Sequence, residues 1–215
     1  MKNLVRDRER GVYLFEEDGQ AYSYVSVTEA LKILWPNRPT SEEALARGRY
    51  VHRACALLDG GVDNLGLASG LDWSTVDPEL RHPIEEWERF KEMAGFVPKY
   101  VEIPVRSHRY RFAGTPDVIG GFTKIKLKLG QGQLAIVDRK ITALKSPDEG
   151  VQLAAYQRAV HETLGTPGMV GRVSVHLPME GPARMTQWTD QADLSTFLSA
   201  LHLEHWQRRH RLERW

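Results

Sequence analysis

The chain has 215 residues, 41% of them hydrophobic and 27% charged, a balance that suits an ordinary globular core and excludes a disordered or fibrous protein. A formal net charge of +1 gives no global attraction to nucleic acid, so any binding face must come from local clusters of Lys and Arg. One cysteine, Cys55, excludes an intrachain disulfide and any all-cysteine metal cluster, and no apolar run is long enough to suggest a membrane span.

The amino-terminal MKNLVRDRER lacks a signal-peptide core, so the expectation is a cytoplasmic protein. Residues 11–25 read as a hairpin, GVYLF and AYSYV flanking the turn Glu17-Asp18-Gly19-Gln20. Ser26-Val27-Thr28-Glu29 is a capping-box pattern that opens a helix, and Pro36 should stop it. Residues 37–41 form a linker, and Ser41-Glu42-Glu43 starts a second helix reaching about Leu58. That helix carries Gly48-Arg49-Tyr50-Val51-His52, and a histidine there is on its own a capping or packing residue. Residues 59–78, rich in Gly and Asp, predict an irregular loop with a short turn.

A helix from about Glu79 to Ala94 follows, with Ile84, Trp87, Phe90 and Met93 at helical spacing as a core or lid stripe. Its acids Glu85, Glu86 and Glu88 read as a solvated face, and Gly95 as the stop. KYVEIPVR (99–106) reads as the first core strand and carries Glu102. Ser107-His108 then turns into the strand bearing Asp117. Lys124-Ile125-Lys126-Leu127-Lys128 alternates as a basic hairpin arm, either a protected edge strand or a flap that touches phosphates. After the loop ITALKSPDEG, which includes Lys145, a helix spans about Glu149 to Leu164, followed by strands at Gly171–Leu177 and Met185–Thr189. The last helix starts near Gln191, places Leu194, Phe197, Leu201, Leu203 and Trp206 on its apolar side, and ends in the basic QRRHRLERW.

The chemistry concentrates between Gly114 and Tyr156. Asp117 ends the run RFAGTPD, and Asp138 and Lys140 follow the apolar Leu134–Val137 with D-x-K spacing. On a strand Asp138 and Lys140 project together and Arg139 points away. Two carboxylates converging beside a lysine can hold a hard divalent cation next to a positive charge, the arrangement that phosphodiester hydrolysis needs. Gln152 and Tyr156, four apart on the following helix, share one face.

GTPD, IVDRK and QLAAY, in this order within about forty residues, resemble the PD-(D/E)xK nuclease superfamily and its RecB-like exonuclease branch. The resemblance covers roughly residues 21–165, and the S-V-T-x-x-L entry and the G-x-x-x-H element at Gly48–His52 extend it amino-terminally. It departs in two places: the D-x-K acid is Asp, shorter by one methylene than the commoner Glu, and the threonine that often follows the lysine stands one place later, as Thr142. The resemblance implies an α/β (mixed α+β) restriction-endonuclease-like core, a central mixed sheet flanked by helices.

It also implies one domain over 1–215, with an amino-terminal hairpin and helical part (1–98), a catalytic core (99–189) and a terminal helix (190–215). One or two Mg²⁺ or Mn²⁺ ions would be held by His52, Asp117, Asp138 and the Arg139 carbonyl, with Glu102 as a further candidate. Lys140 would position the attacking water, and Gln152 and Tyr156 would hold the scissile strand. Lys124, Lys126, Lys128, Arg139 and Lys145 are the candidate DNA contacts. Some relatives of that branch carry a four-cysteine iron–sulfur cluster, which one cysteine cannot supply.

The expected activity is metal-dependent DNA exonuclease action on single-stranded or duplex ends, in recombination, repair or phage DNA processing. The alternatives are a structure- or site-specific endonuclease on the same core, or a DNA-binding module with a vestigial site. No Walker motif is present, so the expectation is a helicase, annealing-protein or single-strand-binding-protein partner, a homo-oligomer, or action on short single-stranded ends.

Overall fold

A computed structural model describes residues 4–17, 19–36, 41–61, 70–128, 134–166 and 170–210. Asp18 in the hairpin turn, linker residues 37–40, loop residues 62–69 and the final 211–215 lie outside the described residues. Among the described residues no helix is long and apolar enough to cross a membrane.

The architecture is mixed α/β: two five-stranded mixed sheets flanked by helices. The strands in chain order are β1 (Val5–Asp7), β2 (Val12–Glu17), β3 (Gln20–Ser26), β4 (Phe96–Val101), β5 (Val105–Ser107), β6 (Phe112–Gly114), β7 (Val118–Phe122), β8 (Leu134–Lys140), β9 (Gly171–His176) and β10 (Arg184–Gln187). The helices are α1 (Val27–Leu31), α2 (Glu42–Leu58), α3 (Arg81–Ala94), α4 (Asp148–Leu164) and α5 (Ala192–Arg209). The first sheet has the order β1-β2-β3-β6-β5 and the second β10-β9-β8-β7-β4.

The central strands of the second sheet, β7 to β9, are buried on both faces, which explains why β8 reads as a continuous apolar run rather than an alternation. Alternate residues face two different cores. Val118, Phe122, Ala135, Val137, Val173 and Val175 pack on the side of α2 and α3 with Val51, Ile84 and Trp87. Ile119 and Ile136 pack on the side of α4 and α5 with Leu153, Tyr156 and Phe197. Strand β8 pairs antiparallel with β7 and parallel with β9, and α4 makes the crossover that a parallel pair requires.

Helix starts follow their caps. Ser26 accepts from the Glu29 N–H and Ser41 from the Ala44 N–H, as the sequence predicts. The first helix is short all the same: α1 closes at Leu31 and continues only as turns, well before Pro36. Helix α3 is preceded by a 3-10 turn at Pro78–Leu80 and stops at Gly95, whose left-handed φ of 62° suits glycine.

Several expectations are corrected. The run 99–106 is not one strand: β4 and β5 belong to different sheets, and the chain breaks between them at Glu102, which adopts a left-handed φ of 47°. The segment bearing Asp117 likewise splits into β6 in the first sheet and β7 in the second, with Thr115-Pro116-Asp117 as the bridge. Residues 124–128 form no strand. Leu127 is buried in the core, and Gln187 pins the segment by accepting from the Lys128 N–H and donating to the Lys126 carbonyl. Glu86 is not solvated: it is 2% exposed, bonded to Arg89 and accepting from the Ala183 N–H at 2.8 Å. Met93, Leu203 and Trp206 lie on the exposed side of their helices.

The close approach of β6 to α4 requires Gly114, because a Cβ there would sit 2.4 Å from Tyr156 Cε1 and 3.1 Å from Val27 Cγ2. Gly114→Ala is therefore expected to destabilise the fold by about 1–3 kcal/mol through overpacking, read as a lower urea midpoint with an unchanged slope.

Candidate active site

The end of β8 carries charge to both of its faces. Asp138 and Lys140 lean toward α4, and Arg139, between them, leans toward α3, as the period of two dictates. The ladder ends with Val118 opposite Val137, and Asp117 and Asp138 are the next residues beyond that pair, near enough for the charge of Asp117 to act on Asp138. Asp117 is fixed there from several directions. Its Oδ2 accepts the Arg139 backbone N–H at 2.7 Å, its Oδ1 is 3.1 Å from His52 Nδ1, and its carbonyl accepts the Glu102 N–H at 3.0 Å. Tyr13 adds a hydrogen bond of 2.9 Å to the neighbouring Thr115 hydroxyl.

On the α4 side a chain of polar contacts runs away from Asp138. Lys140 Nζ is 2.6 Å from Asp138 Oδ2 and donates to Gln152 Oε1 at 3.0 Å, and Gln152 Nε2 donates to the Tyr156 hydroxyl at 3.2 Å. Four of the sequence-derived residues thus form one connected row. The Lys140–Asp138 contact is an ion pair without directed hydrogen-bond geometry, and buried Asp138 Oδ2 lacks a hydrogen-bond partner among the described residues.

The electrostatics follow from this geometry. Burial works against a charged His52, yet the Asp117 carboxylate outweighs it and raises the imidazole above its ordinary value. Burial also favours protonating Asp117, but His52 and Arg139 hold it well below the usual carboxylate range. Asp138 is pushed up, chiefly by burial and further by Asp117, with Lys140 only partly offsetting them. Lys140 loses by burial and gains more from Asp138, so it remains a cation. Burial raises the Tyr156 phenol, which stays neutral.

On the α3 side Arg139 is fully buried, with Nη1 2.8 Å from Asp59 Oδ2 and the guanidinium 5.2 Å from the Trp87 ring. This corrects the expectation of a DNA contact: the charge is enclosed and neutralised rather than presented to solvent. Asp59 also accepts from Trp87 Nε1 at 2.9 and 3.1 Å and from Lys91 Nζ at 2.7 Å. Its role was hidden in a stretch that reads as loop. The available signal is its position seven residues after His52, two turns along the same helix face.

Glu102 does not turn its carboxylate into this cluster but meets Arg53 at 3.6 Å. Lys124, Lys126 and Lys128 are exposed but follow the far end of β7, five strand residues and roughly 15–20 Å from Asp117. Lys145 lies on the loop after β8, its ammonium 4.4 Å from the centre of the Trp188 ring. A further buried pair went unread in the sequence: His176, opposite Lys140 in the ladder, bonds Glu149 at 3.0 Å and the Thr142 carbonyl at 3.1 Å, tying the β8–α4 loop to β9.

No family model matches the chain, and neither does any curated protein sequence. Among solved structures, it is similar to a protein from Eubacterium rectale described as a "putative exonuclease". The TM-score is 0.51 at 13% identity, over 85% of this chain and 78% of that one. That likeness establishes the fold. It leaves the chemistry to the residues themselves.

Those residues make a partial donor set for a hard cation. Among the described residues no three His, Cys, Asp or Glu side chains form a ready metal cluster. Asp117 and Asp138 nonetheless stand near each other at the end of the β7–β8 ladder, and the buried Asp138 Oδ2 accepts no directed hydrogen bond among the described residues although Lys140 is ion-paired to it. Two carboxylates with solvent or phosphate oxygens fit Mg²⁺ or Mn²⁺.

The His52–Asp117 contact has a pH signature. A group whose pKa folding raises contributes fully below its unfolded value, about 6.5 for histidine, and the contribution fades as pH rises through the folded value. The melting temperature of the metal-free protein should therefore exceed that of His52→Gln most at about pH 6, and the gap should shrink toward about pH 9.

Proposed function

We propose that this protein is a divalent-metal-dependent nuclease of the PD-(D/E)xK superfamily, RecB-like branch, that hydrolyses DNA phosphodiester bonds. The observation that carries the reading is the row Asp138, Lys140, Gln152 and Tyr156, with the Asp117 carboxylate beside it, accepting the Arg139 backbone N–H. The resemblance of the motifs supports it, as does the similarity of fold to a structure described as a "putative exonuclease".

Asp117 and Asp138 would hold the cation, with His52 as a third ligand once its bond to Asp117 is exchanged. When bound, the cation supplies polarisation of the phosphate and a more acidic attacking water. Lys140, kept protonated by Asp138, is no general base at neutral pH. It acts as a fixed cation that orients the water and neutralises charge developing on the phosphate. Gln152 fixes the Lys140 ammonium through its carbonyl oxygen, and neutral Tyr156 holds the Gln152 amide in that orientation. The water would attack phosphorus and lose its proton to solvent, the P–O3′ bond would break with the leaving 3′ oxygen taking a proton from solvent, and the products would carry a 5′ phosphate and a 3′ hydroxyl.

Action from DNA ends is favoured by the same two resemblances, and without a Walker motif any duplex unwinding falls to a partner. The test is cleavage of end-labelled linear and of circular DNA with Mg²⁺, Mn²⁺ or EDTA. Metal-dependent loss of linear DNA alone is expected, reduced about 100-fold or more in Lys140→Ala. Nicked circles would instead identify an endonuclease, and DNA binding without cleavage under any condition would overturn the enzyme reading.

A further inference from the structure

We propose that Asp59 is a positioning residue of this site: by holding the Arg139 guanidinium, it keeps that group from hydrogen-bonding the Asp117 carboxylate and leaves Asp117 able to exchange its present contacts for a metal. The proposal rests on the metal-site reading above. Arg139 stands between two acids. Its Nη1 is 2.8 Å from Asp59 Oδ2, while its Nε is 3.8 Å from Asp117 Oδ2, at ion-pair distance but not hydrogen-bonded. Nε and Nη2 have no hydrogen-bond partner among the described residues, so the guanidinium keeps donors to spare on a side chain that is wholly buried.

A buried guanidinium that loses its carboxylate turns to the next one within reach. Here that is Asp117, and a bidentate arginine on Asp117 would compete with a cation for the same oxygens. Asp59 is well suited to hold Arg139 back. It caps the end of α2, is itself fully enclosed, and is clamped by Trp87 Nε1 and Lys91 Nζ from α3. The same helix delivers His52 to Asp117, so α2 both supplies a candidate ligand and restrains the competitor.

The test is calorimetric titration of Mn²⁺ into the metal-free full-length chain, without DNA or turnover, for wild type, Asp59→Asn and Asp59→Asn/Arg139→Gln. Circular dichroism and melting curves establish that each variant is folded. Asp59→Asn is expected to bind Mn²⁺ about 10–100-fold more weakly. The double variant, which lacks the competing guanidinium, is expected to recover most of that loss. Equal binding by wild type and Asp59→Asn would overturn the proposal and leave the metal site standing, as would a double variant no tighter than the single one. Should Asp59→Asn not fold, Arg139→Gln alone decides: binding at or above the wild-type level supports the proposal, and weaker binding overturns it. Wild type that binds no Mn²⁺ would overturn the metal reading and this proposal together.

Discussion

A guanidinium with no exposure to solvent has to be answered by a carboxylate, and that requirement at Arg139 organises the centre of the molecule. Asp59 answers it from the end of α2, and Trp87 and Lys91 bind the same carboxylate from α3. Helices α2 and α3 are thereby fixed against β8 by charge as well as by the apolar contacts of Val51, Ile84 and Trp87 with the sheet. The backbone N–H of the same arginine fixes Asp117. One residue therefore couples the orientation of two helices to the position of the Asp117 carboxylate.

The second organising feature is the passage of the chain between sheets. Residues 112–122 run as β6 in the first sheet, turn at Thr115-Pro116-Asp117 and continue as β7 in the second. Asp117 is thus held at a junction rather than within a ladder, with its carboxylate open to His52 and its backbone engaged by Glu102. Glu102, itself at the point where β4 gives way to β5, has a left-handed φ, and strained backbone beside a cluster of charged groups is a common companion of function.

Much of this was legible because local signals agree with the global fold. β8 is a buried apolar run, and α2 and α4 have acidic first turns and plausible ends, so their bounds were read to within a residue or so. The row Asp138, Lys140, Gln152 and Tyr156 could be anticipated from a period of two followed by a spacing of four. Most of the failures share one cause, partners distant in sequence. Glu86 is buried because the Ala183 N–H reaches it from 97 residues away. Asp59 looked like loop because Arg139 and Trp87 are far along the chain. The alternation of Lys124–Lys128 imitates a strand, but Leu127 is the anchor of a segment held by Gln187. Nothing in a glutamate announces a left-handed φ, so the break at Glu102 left no trace in the pattern.

The two halves of the candidate site differ in how the chain reaches them. Asp138, Lys140, Gln152 and Tyr156 belong to one strand–helix unit and meet across short stretches of chain. His52 and Asp117 are joined only by closing a long loop through α3, β4, β5 and β6, at a loop-closure cost that grows slowly with its length. Any group gripped jointly by His52 and Asp138 would therefore behave as a cross-link, resisting the separation of the amino-terminal helices from the sheet as well as rigidifying a pocket.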